Sequence, residues 1–407
     1  MKLQGKSKKD LEQDHVHELL EKSNFRGAVV AGTGFGKSRV GVRAAMACVL
    51  LEIASNSLLN RKALILVPFE HLKDRFSKEI VQMYGEEALK HFHFECYASI
   101  RKLDPSNYCI TVCDEAHLGL TDLCEQYYSK LTGPLIFLTA TLPEDPIYRF
   151  RLLNHVPLVY SISIDECVKR GFVAPYHIVC VSVELTDKET ALYATVSKNY
   201  GYWSGKLGFQ PFDTATYILR NQKVSGKDEL LAALGFFRAI RQRKLLVDHA
   251  ENKIVLCKEM MDIVPGKKLI FGGDNAFTDK ISAAIEDSAA YHSKISPKKR
   301  IQAIEDFRTG KVTALCSTKA LNQGLDVPDV SSGFILGLTS KILTMVQRIG
   351  RLVRIDPNDP QKSGLIVIVY VKDSQEHKWL NSALLEMDSS NITWTSAKEY
   401  LEELRSR

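Results

Sequence analysis

Short uninterrupted apolar runs alternate along this chain with longer stretches whose apolar positions recur every three or four residues. The runs at 27–30, 63–67, 108–113 and 135–138 are too short for buried helices. They predict strands that are covered on both faces. The stretches at 11–24, with its stripe of Leu11, Val16, Leu19 and Leu20, and at 38–51 predict helices. Residues 151–175 have weak periodicity and read as a connection. In the second half, strands are expected at 177–185, 268–271, 312–317, 334–338 and 365–371, and a helix at 296–309. Residues 187–262 are mostly helical and fit no strand–helix repeat. This alternation implies parallel sheets with helices on both faces, and ligands in such sheets sit beyond the carboxyl ends of the strands.

Composition narrows the picture modestly. The chain of 407 residues is long enough for two domains. A net charge of +6 permits a polyanionic partner without demanding one. Nine cysteines with no Cys-x-x-Cys pair point to reduced, buried thiols rather than a disulfide framework or a metal centre. The four lysines within Met1 to Asp10 lead into no apolar stretch, so no secretory signal is expected. No apolar run approaches the roughly 18 residues of a membrane helix. The expectation is a soluble protein with no membrane partner, cytoplasmic in a bacterium or in a phage-infected host.

Three segments carry the chemistry. Ala31-Gly32-Thr33-Gly34-Phe35-Gly36-Lys37-Ser38 lies between a predicted strand and a predicted helix. Gly34 and Gly36 let backbone N–H groups approach phosphates closely, and the helix that follows aims its positive end at them. Lys37 is placed to reach the β- and γ-phosphates, and the Ser38 hydroxyl to bind Mg²⁺. Ala31 stands where the strict pattern has glycine. A glycine-rich turn with an incidental Lys-Ser is the plainer alternative, disfavoured by the strand and helix around it. Asp114 and Glu115 end the 108–113 strand. Adjacent carboxylates at a strand end are costly unless a cation or a proton-transfer task uses them. Asp114 suits the Mg²⁺ shell and Glu115 suits accepting a proton from attacking water. Alone, they would read as a surface turn. Arg351 and Arg354 are three apart, on one face of a helix, and arginines of this kind stabilise charge on a transferring phosphoryl group.

Taken in order, these segments resemble the superfamily 2 helicases and translocases of the Asp-Glu-x-His type. Motif I matches 31–38, and motif Ia matches Leu66-Val67-Pro68 with Leu72. Motif II matches Asp114-Glu115-Ala116-His117, and motif III matches Thr139-Ala140-Thr141. Motif V matches 317–328 and motif VI matches 347–354. The resemblance covers about residues 10–372. It implies two RecA-like α/β lobes of the P-loop NTPase class, with ATP and Mg²⁺ in the cleft. The lobes would span 1–172, with motifs I to III, and 173–407, which includes the helical insert 187–262. It further implies that Gly32, Thr33, Gly34, Gly36, Gly324 and Asp326 belong to the nucleotide site. Gln347 would lie near the γ-phosphate, and Arg351 and Arg354 would act as trans-lobe arginine fingers. Thr139 and Thr141 would couple the ATP site to the nucleic-acid track. Pro68, Tyr97, Ser99, Gly272 and Thr318 would touch the phosphate backbone, and Gln13 would read adenine. The Gly171-to-Tyr176 stretch is similar to one in phage UvsW-type DNA helicases and in restriction-system helicase subunits.

The insert admits two readings. Arg238, Arg241, Arg243 and Lys244 beside Tyr200, Tyr202, Trp203 and Phe209 could meet phosphates and bases. A helical cover with an aromatic core and a solvated basic face is the favoured alternative. Lys298, Lys299 and Arg300 at a helix start oppose the helix dipole, which a phosphate partner would explain. The function expected is an ATP-dependent DNA helicase or double-strand DNA translocase. The alternatives are an RNA helicase or a non-unwinding motor subunit.

Overall fold

The computed structural model describes residues 7–32, 34–55, 60–143, 145–221, 225–318, 330–338, 363–385 and 387–406. Thr33, Gly324, Asp326, Gln347, Arg351 and Arg354 lie outside the described residues. The chain forms two compact units that divide at Tyr176/His177. The division comes after 172 because Phe172 packs on Phe35 and Tyr176 donates its hydroxyl to Asp165, both in the first unit.

In the first unit, chain order is α1 (Lys8–Lys22), β1 (Arg26–Ala31), α2 (Lys37–Ala54), β2 (Lys62–Val67), α3 (His71–Tyr84), β3 (Phe92–Cys96), β4 (Tyr108–Asp114), α4 (Asp122–Tyr128), β5 (Leu135–Thr139), α5 (Pro146–His155), β6 (Leu158–Ile162) and α6 (Ile164–Lys169). The strands form one parallel sheet in the order β3-β2-β4-β5-β1-β6. On one face Leu64, Leu66, Cys113 and Phe137 pack with Tyr127, Tyr128 and Leu152 from the covering helices. On the other, α2 lies so close that a Cβ at Gly41 would come within 2.8 Å of Leu138 and 3.0 Å of Val112. A glycine inside a helix costs about 0.5–1 kcal/mol relative to alanine, and here that cost purchases the close approach. The 151–175 stretch is not a bare connection. It holds the end of α5, all of β6 and α6, and β6 is the edge strand beside β1. Its residues are mostly half-exposed, so it lacks the apolar run that marks the inner strands.

The second unit continues with β7 (Tyr176–Val183), α7 (Asp187–Leu207), α8 (Pro211–Arg220), α9 (Lys227–Asp248), α10 (Glu251–Ile263), β8 (Lys267–Phe271), α11 (Asn275–Ala284), β9 (Ser288–Tyr291), α12 (Pro297–Thr309), β10 (Ala314–Ser317), β11 (Val330–Ile335), β12 (Gly364–Val371), α13 (Gln375–Leu384), β13 (Ile392–Ser396) and α14 (Ala397–Ser406). Its strands lie in the order β13-β7-β12-β11-β8-β10-β9. Helices α7 to α9 carry a small core of their own, with Leu207, Ala215, Ile218, Ala233 and Phe236 at its centre. Tyr200 stacks on Phe236 there. The Arg243 guanidinium lies over the rings of Tyr193 and Tyr200, 5.4 and 4.6 Å from their centroids, so that cation is engaged within the insert.

Beneath the second sheet, Lys253 and Glu376 form a fully buried ion pair at 2.7 Å. Lys253 Nζ also donates to the Leu336 carbonyl, and Glu376 accepts from the Val371 N–H. Burial pushes the Glu376 carboxyl up to about 7, against the pull of Lys253. Removing one partner strands the other charge without water. Lys253→Met is therefore expected to cost about 3–5 kcal/mol in urea unfolding at pH 8, with part recovered when Glu376→Leu is added. A loss below about 1 kcal/mol, the range of an exposed pair, would show that the pair does not hold these elements together.

Candidate nucleotide site

Register brings the chemical residues of the first unit to one edge. Val30 pairs with Thr139 and Asp114 with Leu138, so the carboxyl ends of β1, β4 and β5 finish side by side. The segment after β1 turns through Gly34 at φ +92° and Gly36 at φ +95°, a region that glycine enters without the Cβ penalty. A Cβ at Gly36 would fall 2.3 Å from Gln13 Nε2, and one at Gly34 would fall 2.7 Å from Val173. The turn feeds α2, an 18-residue helix whose first N–H groups and positive end face the loop.

Three contacts hold this loop from outside it. Phe35 is fully buried, stacks on Tyr160 and meets the edge of Phe172. Gln13 Nε2 donates to the Phe35 carbonyl at 2.7 Å. Lys9 Nζ donates to the Gly34 carbonyl. Glu12 ties α1 to the far side of the loop, accepting from Tyr160 and Arg170.

Lys37 is buried, and Nζ donates to the Ala31 carbonyl at 2.7 Å. Burial lowers its pKa, while Glu115 and Asp114 pull it back up. Asp114 is buried as well. Desolvation, then the Glu115 charge, raises its pKa to about 6, against the pull of Arg75 and Lys37. The Ser38 hydroxyl accepts from Arg75 Nη2 at 2.6 Å. Glu115 sits in the left-handed region at φ +48°, a conformation that costs an ordinary residue roughly 1–2 kcal/mol. The turn it makes carries the chain out of β4 into a short 3₁₀ segment, Ala116–Leu118. From that segment His117 Nδ1 reaches Thr139 Oγ1 at 3.1 Å, and the Thr139 hydroxyl donates to the Thr141 carbonyl at 2.9 Å. Since the Thr139 proton is used, His117 Nδ1–H is the donor in that pair. A continuous chain of hydrogen bonds thus links the segment after β4 to the segment after β5.

A cavity of about 710 Å³ opens beside the loop, with Lys9, Gly34, Gly36, Arg75, Arg170 and Phe172 in its wall. The residues fit a nucleotide polyphosphate with a divalent cation. Two glycines leave room where any Cβ would intrude, a buried lysine lies at the start of the helix, and a hydroxyl and a carboxylate supply oxygen donors of the kind Mg²⁺ takes.

Several expected roles change. The Gln13 amide nitrogen donates to the Phe35 carbonyl, so Gln13 holds the loop, and its second N–H and its carbonyl oxygen are the atoms left to read a base. Tyr97 is buried and its hydroxyl donates to the Asp114 carbonyl at 2.7 Å. Its side chain therefore supports the strand end and is not turned outward to a phosphate. Pro68 and Ser99 are half-buried, just beyond the carboxyl ends of β2 and β3. In the second unit Gly272 and Thr318 follow the neighbouring strands β8 and β10. Gly272 is buried against Thr278, 2.5 Å from where its Cβ would stand. Thr318 Oγ1 donates to Asn275 Oδ1 at 3.2 Å. Sequence reasoning missed Lys9, Arg75 and the wall at 170–173. Arg75 alone carried a legible signal, a cation one turn into the helix that follows β2.

The comparisons with known proteins agree with this geometry. Residues 252–356 match the helicase conserved C-terminal domain. The DNA 3'-5' translocase XPB2 of Sulfurisphaera tokodaii is 23% identical over 390 residues, which is 91% of this chain and 83% of that protein. The ATP-dependent RNA helicase CshA of Listeria monocytogenes is 24% identical over 332 residues, 80% of this chain and 55% of the relative. The fold matches Dbp5 of S. cerevisiae, solved with RNA and ADP BeF3, at a TM-score of 0.60 and 15% identity, covering 97% of this chain and 92% of that one. The domain match, the relatives and the phosphate-loop geometry together support a superfamily 2 helicase, an ATP-dependent enzyme acting on nucleic acid.

Proposed function

We propose that the protein is an ATP-driven motor on DNA, a helicase or double-strand translocase of the Asp-Glu-x-His type. The observation that carries the ATP reading is the buried Lys37 and Asp114 behind a two-glycine loop at one sheet edge. Gly34 and Gly36 bring backbone N–H groups to the phosphates, and Lys37 neutralises the β- and γ-phosphate oxygens. Ser38 and Asp114 are the groups that would hold Mg²⁺, which when bound screens the phosphate charge. Glu115 orients the attacking water and takes its proton as the oxygen–phosphorus bond forms and the bond to ADP breaks. Arg351 and Arg354 stabilise the charge on the transferring group, and Gln347 positions the water beside it. The chain through His117, Thr139 and Thr141 passes the state of the site toward the nucleic-acid track. Gly324, Asp326, Pro68, Ser99, Gly272 and Thr318 follow as residues of that coupling and track.

DNA is favoured by the XPB2 relative, which covers most of both chains, and by the similarity of the 171–176 stretch to DNA-directed members. CshA keeps RNA as the second reading. A motor that moves without unwinding is compatible with the same site. Contacts to phosphates rather than bases make such movement independent of sequence.

Lys37→Ala is expected to remove nucleic-acid-stimulated ATP hydrolysis by at least about a hundredfold, the scale of losing one preorganised charge at a reacting centre, with the far-UV circular dichroism unchanged. Glu115→Gln is expected to bind ATP and fail to turn it over; parent-like turnover would remove Glu115 from the water-activating role. Stimulation of the ATPase by duplex, forked and single-stranded DNA should exceed that by RNA of equal length. Stimulation by RNA alone would reverse the assignment. Strand displacement measured beside triplex displacement separates unwinding from translocation. In the metal-free protein Asp114 takes up a proton as pH falls through about 6, and a protonated carboxyl is a poor metal ligand. Mg²⁺-dependent binding of fluorescent ADP should therefore weaken below about pH 6, where Asp114→Asn already binds weakly at every pH. A midpoint near the ordinary aspartate value would mean that Asp114 is not desolvated.

A further inference from the structure

Arg75 is the residue at this site that the phosphate-loop chemistry leaves without a task. It is an exposed residue on α3 and lies in the wall of the cavity. Nη2 donates to Ser38 Oγ at 2.6 Å. Ser38 itself is only 2% exposed, so the long side chain brings its charged end into a desolvated corner. The same charge pulls down on the Asp114 carboxyl, which burial and Glu115 push up.

Arg75 thus contacts the Ser38 hydroxyl, one of the two groups that would hold a divalent cation, and acts on the other, the Asp114 carboxylate, through its charge alone. A guanidinium and a metal ion cannot share them. Their charges repel strongly in a site with little water, and the guanidinium occupies one side of the hydroxyl oxygen from which an ion that demands near-octahedral geometry would approach. We propose that Arg75 competes with the divalent cation for Ser38. It holds Ser38 in place until Mg²⁺ arrives, and it must withdraw for the metal to bind. Withdrawal breaks one hydrogen bond of an exposed residue, since among the described residues the guanidinium makes no other. The proposal rests on the ATP-site reading above and adds a competition to it. Arg75 acts as a positioning residue, since it releases the metal ligand and leaves the reacting atoms to others.

The test is the Mg²⁺ dependence of nucleotide binding, read with a fluorescent ADP analogue at pH 8, where Asp114 is ionised. Arg75→Gln is expected to lower the Mg²⁺ concentration at half-saturation about three- to tenfold, the scale of one ordinary net hydrogen bond, because the exposure of Arg75 discounts its charge. Arg75→Lys keeps the charge but has a shorter arm without the fork, and should shift the midpoint in the same direction by less. A midpoint that stays or rises in Arg75→Gln overturns the competition and makes Arg75 a phosphate contact or a bystander. A lowered midpoint in Arg75→Gln together with a parent midpoint in Arg75→Lys assigns the effect to charge alone and overturns the contact with Ser38. Loss of nucleotide binding by the parent protein at every Mg²⁺ concentration overturns the ATP-site reading itself. Unchanged parent binding with unmoved variants overturns Arg75 alone.

Discussion

A lysine and an aspartate lie in the same desolvated corner, and the first unit is arranged around keeping both of them charged. Taking either ion out of water alone costs several kcal/mol. Lys37 recovers part of that cost from the Ala31 carbonyl and from the fields of Asp114 and Glu115. Asp114 recovers less, and its raised pKa records the shortfall. A site held in that state is poised for a ligand that carries both negative oxygens and a divalent cation, since one binding event satisfies both charges. The strained turn at Glu115 and the buried Tyr97 hydroxyl under the Asp114 carbonyl belong to the same arrangement. They fix the end of β4 so that neither carboxylate can drift out to water.

Much of this was legible in the order of residues. The apolar runs of β1, β2, β4 and β5 are buried on both faces, so they stand out without any partner being known. The loop glycines declare themselves by spacing. Strands β3 and β6 escaped because they are sheet edges, where one side is wet and the apolar run breaks up. The assignments that moved are those that depend on a side chain's surroundings. Gln13 and Tyr97 fall at positions where a ligand contact is reasonable, yet each donates to a backbone carbonyl. Lys9 reaches the site from a helix whose sequence gives no hint of where its long arm ends, and Arg75 shows only its place one turn into the helix after β2.

The second unit solves a different problem. Its central sheet holds the recognisable strands, while α7 to α9 build a small core that owes little to that sheet. Aromatic residues that also admit a reading as a nucleic-acid surface are partly engaged there. Tyr200 stacks inward on Phe236, and Arg243 is held between two rings. Charge and aromatic content along a sequence therefore overstate what a helical segment offers to a polyanion, because the same groups are good at holding helices together.

The position of β1 bears on how the molecule is made. It is synthesised before the other strands of its sheet, yet it lies inside that sheet, and its two neighbours are β5 and β6. Its partners begin with Leu135 opposite Arg26 and Leu158 opposite Ala28. The phosphate loop inherits the same delay, since Phe35 is clasped by Tyr160 and Phe172. Pairings between such distant segments close slowly. During synthesis this inner strand and the nucleotide loop must wait, unpaired, for more than a hundred residues of chain to follow. A ribosome pause or a chaperone acting in that interval would bear on how much of the chain folds before its unpaired strand finds a wrong partner.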